Sequence, residues 1–265
     1  MKITHDFHIH TNLSLCAVET ATVANYIERS RKMGLTKLVF ADHFWDETVG
    51  YCLNDFYKPQ NWEHVQVLRA ELEALKPDDL QFYFGCEAEY DPVNRGVGIT
   101  EETAEKFDFM IVPNSHTHMV MPRELYQPYE KHIDFMIQAY KDIIESPVSK
   151  YITAMAHPFE AVCCPYDNQI LINMISDDCF KRLFDRTAEK GIAVEINVAG
   201  MQRMSQEQVA ECAQMRMFRL AKECGCKMIF GSDDHAAVQS DVYKHTDFVA
   251  NLLGLKEENM AEITR

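Results

Sequence analysis

The stretch Asp6-Phe7-His8-Ile9-His10-Thr11 ends a short apolar run that begins at Ile3, and it sets two histidines two residues apart. In an extended strand, residues i and i+2 point to the same side. A strand over Ile3–His8 that stays extended to its end would therefore aim His8 and His10 at one point. The arrangement recurs along the chain. Asp42-His43 follows the apolar run Leu38–Ala41, Glu87-Ala88-Glu89 follows Leu80–Cys86, and Asn114-Ser115-His116-Thr117-His118 follows Phe107–Val112. His157-Pro158 follows Ile152–Ala156, Glu195-Ile196-Asn197 closes Ala193–Ile196, and Ser232-Asp233-Asp234-His235 follows Met228–Phe230. A lone histidine at a strand end is ordinarily structural. All seven candidate strands deliver a metal-ligand or acid–base residue type at the same end, and chance does not readily produce that.

Longer amphipathic stretches separate these runs. The candidate helices are Val23–Lys32, Trp62–Leu75, Tyr129–Glu145, Asp177–Lys190, Gln206–Glu223 and Thr246–Leu253. Gly34, Gly191 and Gly225 lie between a helical stretch and the next strand, and Gly254 follows the last helix, as helix stops require. Strand–helix alternation of this kind predicts an α/β fold with a parallel sheet covered by helices. Seven such units in 265 residues predict a single distorted (β/α)7 TIM-like barrel spanning residues 1–265 as one domain. Phe44–Asn61, Tyr90–Glu105 and Thr117–Pro128 interrupt the rhythm after candidate strands. They are expected as loops on the strand C-terminal face, where such barrels carry their active sites. Tyr51, Phe56, Tyr57, Met119, Met121 and Tyr126 lie in these loops, either walling a pocket or packing beneath the loops.

The composition, 47% hydrophobic and 25% charged, is that of an ordinary globular chain. A net charge of −15 opposes nonspecific binding to nucleic-acid backbone or anionic membrane, since such binding relies on lysine and arginine. A local cluster of metal ions would still admit an anionic substrate. The nine cysteines, among them Cys163-Cys164 and Cys224-Gly225-Cys226, form no paired framework. They read as reduced thiols of a cytoplasmic protein. No apolar run approaches the roughly 18 residues of a membrane span, and the start lacks the apolar core of a secretion signal.

Imidazole and carboxylate ligands in this proportion suit Zn, Mn or Fe better than Ca or Mg. The runs DFHIHT, ADH, AHP and GSDDH, in this order and with Glu87, His116 and the EIN segment in place among them, carry a resemblance over Asp6–His235. The chain resembles the polymerase-and-histidinol-phosphatase (PHP) superfamily of metal-dependent phosphoesterases. The resemblance implies two or three divalent ions. His8, His10, Glu87 and Asp233 correspond to ligands of a first ion. Glu87 would bridge to a second ion held by His116 and His157, and His43 and His235 would hold a third. Six residues after His10, where the family often has a further histidine, this chain has Cys16. Either Cys16 ligates, favouring a soft ion such as zinc, or the third site is weak or reshaped. His118 would replace His116 if the register were shifted by one pleat.

Asp42, Glu195 and Asn197 are candidates to orient ligands or to make plain turn and strand-end hydrogen bonds. Arg203 and Arg123 are candidate phosphate contacts, although the segment around Gln202 and Arg203 departs from the family's basic loop and an exposed Arg203 is the simpler reading. His5, His64, His132 and His245 lie away from the strand ends and read as surface or core residues. The implied reaction is hydrolysis of a small phosphomonoester, with Glu87, Asp233 and His235 as the catalytic candidates and water activated by the ions. Two other readings stay open: a phosphodiesterase or exonuclease acting on nucleotides, and a metal-binding module without catalysis.

Overall fold

The computed structural model describes residues 1–50, 52, 54–161, 167–237 and 241–264, so Tyr51, Cys163 and Cys164 lie outside the described residues. The chain opens with β1 (His5–Ile9), α1 (Val23–Met33) and β2 (Lys37–Phe44), and passes through α2 (Trp62–Leu75) into β3 (Gln81–Ala88). An antiparallel hairpin of β4 (Tyr90–Asp91) and β5 (Gly96–Val97), then the short α3 (Glu101–Ala104), precede β6 (Phe109–Pro113). Next come α4 (Thr117–Val120), α5 (Tyr129–Glu145), β7 (Ala154–Ala156), α6 (Asn168–Met174), α7 (Asp177–Glu189) and β8 (Ala193–Asn197). The last units are α8 (Gln206–Glu211), α9 (Ala213–Glu223), β9 (Met228–Gly231) and α10 (Thr246–Leu252).

All seven expected strands are present, and each pairs in parallel with its neighbour in the order β1-β2-β3-β6-β7-β8-β9. Residue parity explains why the sheet curls. On β2, Leu38 and Phe40 pack outward against the helices, while Val39 and Ala41 face a separate interior cluster with Phe7, Phe109, Ile111, Ala154, Ala156, Ala193 and Ile229. Alanines at four of these positions keep the lumen narrow enough for side chains to fill, as small barrels require.

The sheet nearly closes. Between β1 and β9 there is only one bridge, Ile9 with Asp234, bounded by Asp233 N to His8 O at 2.8 Å and His10 N to Asp234 O at 3.0 Å. Lower down the gap is filled differently: the His5 Nε2 accepts from Phe230 N at 3.1 Å, and Ala261 N donates to Met228 O at 3.0 Å. The result is a distorted (β/α)7 barrel with a seam.

Three details depart from the sequence reading. The expected helix Gln206–Glu223 is two helices, broken at Cys212, whose backbone is extended (φ −68°, ψ 153°). The loop after β3 contains the β4–β5 hairpin and α3, and the loop after β6 begins with α4. Helix α6 was not expected; Asp167 caps it by accepting from Gln169 N at 2.8 Å. No helix among the described residues is long and apolar enough to cross a membrane.

Candidate metal centre

All the strand-end histidines and Glu87 meet at the C-terminal mouth of the barrel. On β1, Asp6 pairs with Leu38 and Ile9 with Phe40, so three steps on β1 match two on β2. This bulge inserts one residue, allowing Phe7 and His8 both to turn inward before His10. On β2 and β3 the ladder is regular and sets His43 directly beside Glu87.

Glu87 is the hub. Its Oε1 lies 3.0 Å from His157 Nε2 and 3.6 Å from both His8 Nε2 and His116 Nε2. Its Oε2 lies 3.5 Å from His10 Nε2 and 2.9 Å from His43 Nδ1. Asp233 Oδ1 is 3.5 Å from His8 Nε2, 3.2 Å from His10 Nε2 and 3.7 Å from His235 Nδ1. Four overlapping triads have geometry that could hold an ion: His8-His10-Asp233, His8-Glu87-His157, His43-Glu87-His116 and His10-His43-His235. His116, not His118, is the residue in these groups.

The hydrogen bonds around the cluster fix how each ring is turned. His8 Nδ1 donates to Glu195 Oε1 at 2.8 Å, and His116 Nδ1 to Glu89 Oε2 at 2.9 Å. Ser14 Oγ donates to Asp42 Oδ1 at 2.7 Å, so it accepts from His10 Nδ1 at 3.0 Å. Ser115 Oγ donates to the His157 carbonyl at 3.1 Å and accepts from His157 Nδ1 at 2.7 Å. His235 Nδ1 donates to the Asp233 carbonyl at 2.8 Å. In each of these rings Nδ1 carries the proton, which leaves the Nε2 lone pair as the free donor of the neutral ring. His43 alone is turned the other way, with Nδ1 toward Glu87.

With this many inward nitrogens and carboxylate oxygens in contact, the cluster needs positive charge, from protons or from a metal ion. The Nε2 atoms of His8 and His10 stand 3.0 Å apart, so either one of them carries a proton or both share a cation. His43 Nδ1 and Glu87 Oε2 are buried without a hydrogen-bond partner, despite lying 2.9 Å from each other. Buried polar atoms are nearly always satisfied, so a point between these donors is where a divalent ion fits. Electrostatics in the ion-free cluster agree. Burial would raise the Glu87 carboxyl, but His116, His8 and His43 around it hold it well below the usual carboxylate range. Burial also disfavours a charged His43, yet Glu87 and Cys16 beside it raise the ring to about 9. His10 is pushed down by burial and by His235 and His43.

The backbone is bent to meet this need. His157 (φ 24°) and Asp233 (φ 51°) both adopt positive φ, which non-glycine residues rarely do outside functional sites. Gly231 is required for another reason: a Cβ there would lie 1.9 Å from Glu195 Oε1 and 2.5 Å from His8 Cβ.

Above the cluster is a cavity of about 270 Å³ lined by Cys16, His43, Phe56, Tyr57, His116, His118, Met119, Asp233 and His235. Of the loop residues expected to wall a pocket, Phe56, Tyr57 and Met119 do so. Met121 is buried elsewhere, and the Tyr126 hydroxyl donates to Thr117 O at 3.2 Å. Arg123 and Arg203 are exposed, and neither is among the described residues lining the cavity. Arg123 opens a 3₁₀ turn and Arg203 follows another, and both turns point their side chains to solvent. Cys16 is an exposed thiol at the cavity wall and joins none of the four triads. A larger groove of about 740 Å³ beside Lys37 and Gln81, at the opposite end of the strands, carries none of the cluster.

Glu195 accepts from His8 and Asp42 from Ser14, which in turn accepts from His10, whereas Asn197 accepts from Ala199 N at 2.8 Å in a plain turn. His5 and His132 are buried, while His64 and His245 donate to the carbonyls of Leu13 and Met204. Among the described residues Cys224 and Cys226 belong to no metal-competent group. The sequence reading missed the roles of Ser14, Ser115 and Glu89. Glu89 had a signal, since it sits two residues after Glu87 at the same strand end.

The PHP domain family matches residues 6–199. No curated protein matches the chain. Its fold is similar to histidinol phosphate phosphatase from Lactococcus lactis, solved with zinc, L-histidinol and phosphate. The TM-score is 0.70 and the identity 16%, over 94% of this chain and 93% of that one. It is also similar to the hisK protein of Listeria monocytogenes, with a TM-score of 0.69 and 13% identity over 92% and 99% of the two chains. At such identities these likenesses establish the barrel, and the family match over most of the chain establishes the lineage. The chain belongs to the PHP domain family of metal-dependent phosphoesterases.

Proposed function

We propose that the chain, as one barrel domain over residues 1–265, hydrolyses a small phosphomonoester at this centre with two or three ions of Zn, Mn or Fe. The observation that carries the reading is the inward convergence of six imidazole rings with the carboxylates of Glu87 and Asp233 at the floor of a cavity. When bound, the ions activate water and neutralise phosphoryl oxygens. His8, His10, His43, His116, His157 and His235 would hold them, with Glu87 and Asp233 as the two carboxylate ligands. Glu195, Glu89, Ser14 and Ser115 orient the rings of His8, His116, His10 and His157 with Nε2 inward. Cys16 lines the cavity near His43 but stands outside the four triads, so the third position rests on His10, His43 and His235, and only a thiolate drawn in from the wall would make it softer and favour zinc.

The cavity supports a small substrate. At about 270 Å³ it lies just below the usual range of roughly 300–1,000 Å³ for small-molecule sites. Phe56, Tyr57 and Met119 offer apolar wall to an organic tail. With Arg123 and Arg203 outside the lining, the positive charge for a phosphate would have to come from the metal centre. A polymer would also meet repulsion from a chain of net charge −15. The Lactococcus structure makes histidinol phosphate the first compound to try. The test compares kcat/KM on histidinol phosphate and a panel of small monoesters with single-stranded DNA, at one salt concentration, with Zn or Mn present. The monoesters should be hydrolysed faster. Faster degradation of the DNA than of every monoester would replace this reading with that of an exonuclease.

A further inference from the structure

The centre has one weak wall. Glu87, His116 and His157 come from β3, β6 and β7, which continuous ladders join. His8 and His10 face Asp233 and His235 across the seam, where β1 and β9 share a single bridge. That bridge brings two backbone hydrogen bonds, Asp233 N to His8 O at 2.8 Å and His10 N to Asp234 O at 3.0 Å, and among the described residues no ladder on either side of it shares the load of keeping the four groups in place.

Side chains of α1 occupy the seam. The Tyr26 hydroxyl lies 2.9 Å from the carbonyl of His10 and 2.9 Å from that of Asp234, so one proton serves both lips. Arg29, only 6% exposed, hydrogen-bonds Asp234 Oδ2 through Nη1 and donates through Nη2 to the Tyr243 hydroxyl at 2.7 Å. Its Nη2 is also 3.7 Å from Asp6 Oδ2. Asp6, on β1, in turn accepts from Ser232 N at 2.9 Å and Ser232 Oγ at 2.6 Å across the seam. Asp234 Oδ1 and Oδ2 accept from Ala236 N and Ala237 N, both at 3.1 Å, and so fix the turn that carries His235. The guanidinium is sandwiched, 4.7 Å from the Tyr26 ring centre and 5.2 Å from that of Tyr243.

We propose that Tyr26 and Arg29 are positioning residues: a clamp on the β1–β9 seam that sets the spacing of His8 and His10 against Asp233 and His235, and hence the affinity of the ion bound across the seam. The proposal rests on the metal centre assigned above. The clamp touches neither ion nor substrate. It acts through the carbonyl of His10 and through Asp234, whose chain neighbours are Asp233 and His235. A buried guanidinium whose two Nη atoms reach Asp234 and Tyr243 at once holds such geometry in a way that a lysine, a point charge on a flexible stem, does not.

The experiment is a cobalt(II) titration of metal-stripped full-length protein, followed by visible absorption, for wild type, Tyr26→Phe, Arg29→Lys and Arg29→Met. Circular dichroism checks the fold, and Arg31→Lys on the exposed side of the same helix is the control. Wild type should take up more than one ion, in distinguishable steps. In Tyr26→Phe and Arg29→Lys one class of ion should weaken by about tenfold or more, with an altered cobalt spectrum, while the other stays within about twofold. Arg29→Met should be the more severe; if it does not fold, Tyr26→Phe decides. Uniform weakening of all ions, or none in any folded variant, overturns the clamp while leaving the metal centre standing. A wild type that binds no cobalt overturns both.

Discussion

Replacing Glu195 with Gln should loosen the centre without touching it. The carboxylate spends one oxygen on each of two donors: Oε1 accepts from His8 Nδ1 at 2.8 Å, and Oε2 from the backbone N of His157 at 2.5 Å. A glutamine of the same shape has one acceptor and one NH₂. If its oxygen faces His157, the amide meets the Nδ1–H of His8, and the ring escapes the clash by moving its proton to Nε2. That tautomer points a hydrogen at the ion position and removes a ligand lone pair. If the amide is flipped, the clash falls on the N–H of His157, whose positive φ of 24° already makes it a costly conformation. Either way one buried, charge-assisted hydrogen bond is lost, worth about 1.5–3 kcal/mol. That corresponds to roughly a 10–100-fold fall in metal affinity, the usual cost of removing such an orienting partner. Zinc competition against a chromophoric chelator at fixed pH measures it directly, with thermal melts of the metal-free proteins to separate affinity from folding. Glu195→Gln that binds zinc as tightly as wild type would refute the tautomer reasoning.

Elemental analysis of protein purified without chelator should find at least two equivalents of Zn, Mn or Fe per chain, and a fully active metal-free protein would contradict the centre. Glu87→Gln removes the hub carboxylate and should lower turnover on the best monoester by about a hundredfold or more, equivalent to roughly 2.7 kcal/mol of barrier; near-normal turnover would place the bridge elsewhere. Burial, with Lys37 nearby, lowers the His5 imidazole to about 3 from its ordinary 6.5, so between those values the folded chain binds fewer protons than the unfolded chain. The stability His5 supports as a neutral acceptor for Phe230 N is therefore present above pH 6.5 and lost as pH falls toward 3. Denaturant midpoints from pH 7 downward should fall more steeply in wild type than in His5→Gln, whose amide oxygen can still accept, and parallel slopes would show that His5 does not titrate in this window.

The barrel and most of the site were legible because both depend on short-range periodicity. Parity along β2 alone predicts that Val39, Ala41 and His43 share one face, and they do. What was not legible depends on partners far away in the chain. The run Gln206–Glu223 has no internal reason to break at Cys212. It breaks because α9 takes its first cap from Gln169, whose Oε1 accepts from Ala213 N at 2.6 Å. Strict alternation on β1 would send Phe7 and His8 to opposite faces, and only the bulge against β2 brings both inward. The roles of Ser14 and Ser115 were hidden for a similar reason. A serine beside a ligand histidine has no pattern of its own, and its function appears only once Asp42 or the His157 carbonyl is seen to take its proton.

The ligand set also explains how an acidic chain can attract a phosphate. Cages built mostly of carboxylates cancel the charge of the ions they hold. Here six imidazoles contribute none, and only Glu87 and Asp233 are anionic among the inward donors. Two divalent ions would leave a positive balance of about two and three would leave about four, in a narrow pocket walled by Phe56, Tyr57 and Met119, where charges interact more strongly than in water. The carboxylates that serve the cluster indirectly, Glu195, Glu89 and Asp42, are tied up by donors of their own. The Glu89 carboxylate, for example, also accepts from the Tyr57 hydroxyl. Negative charge around the cluster is therefore held by hydrogen bonds to ring nitrogens and other donors, so bound ions would present their positive charge to the cavity, and on the proposed reading the overall charge of −15 would oppose long polyanions.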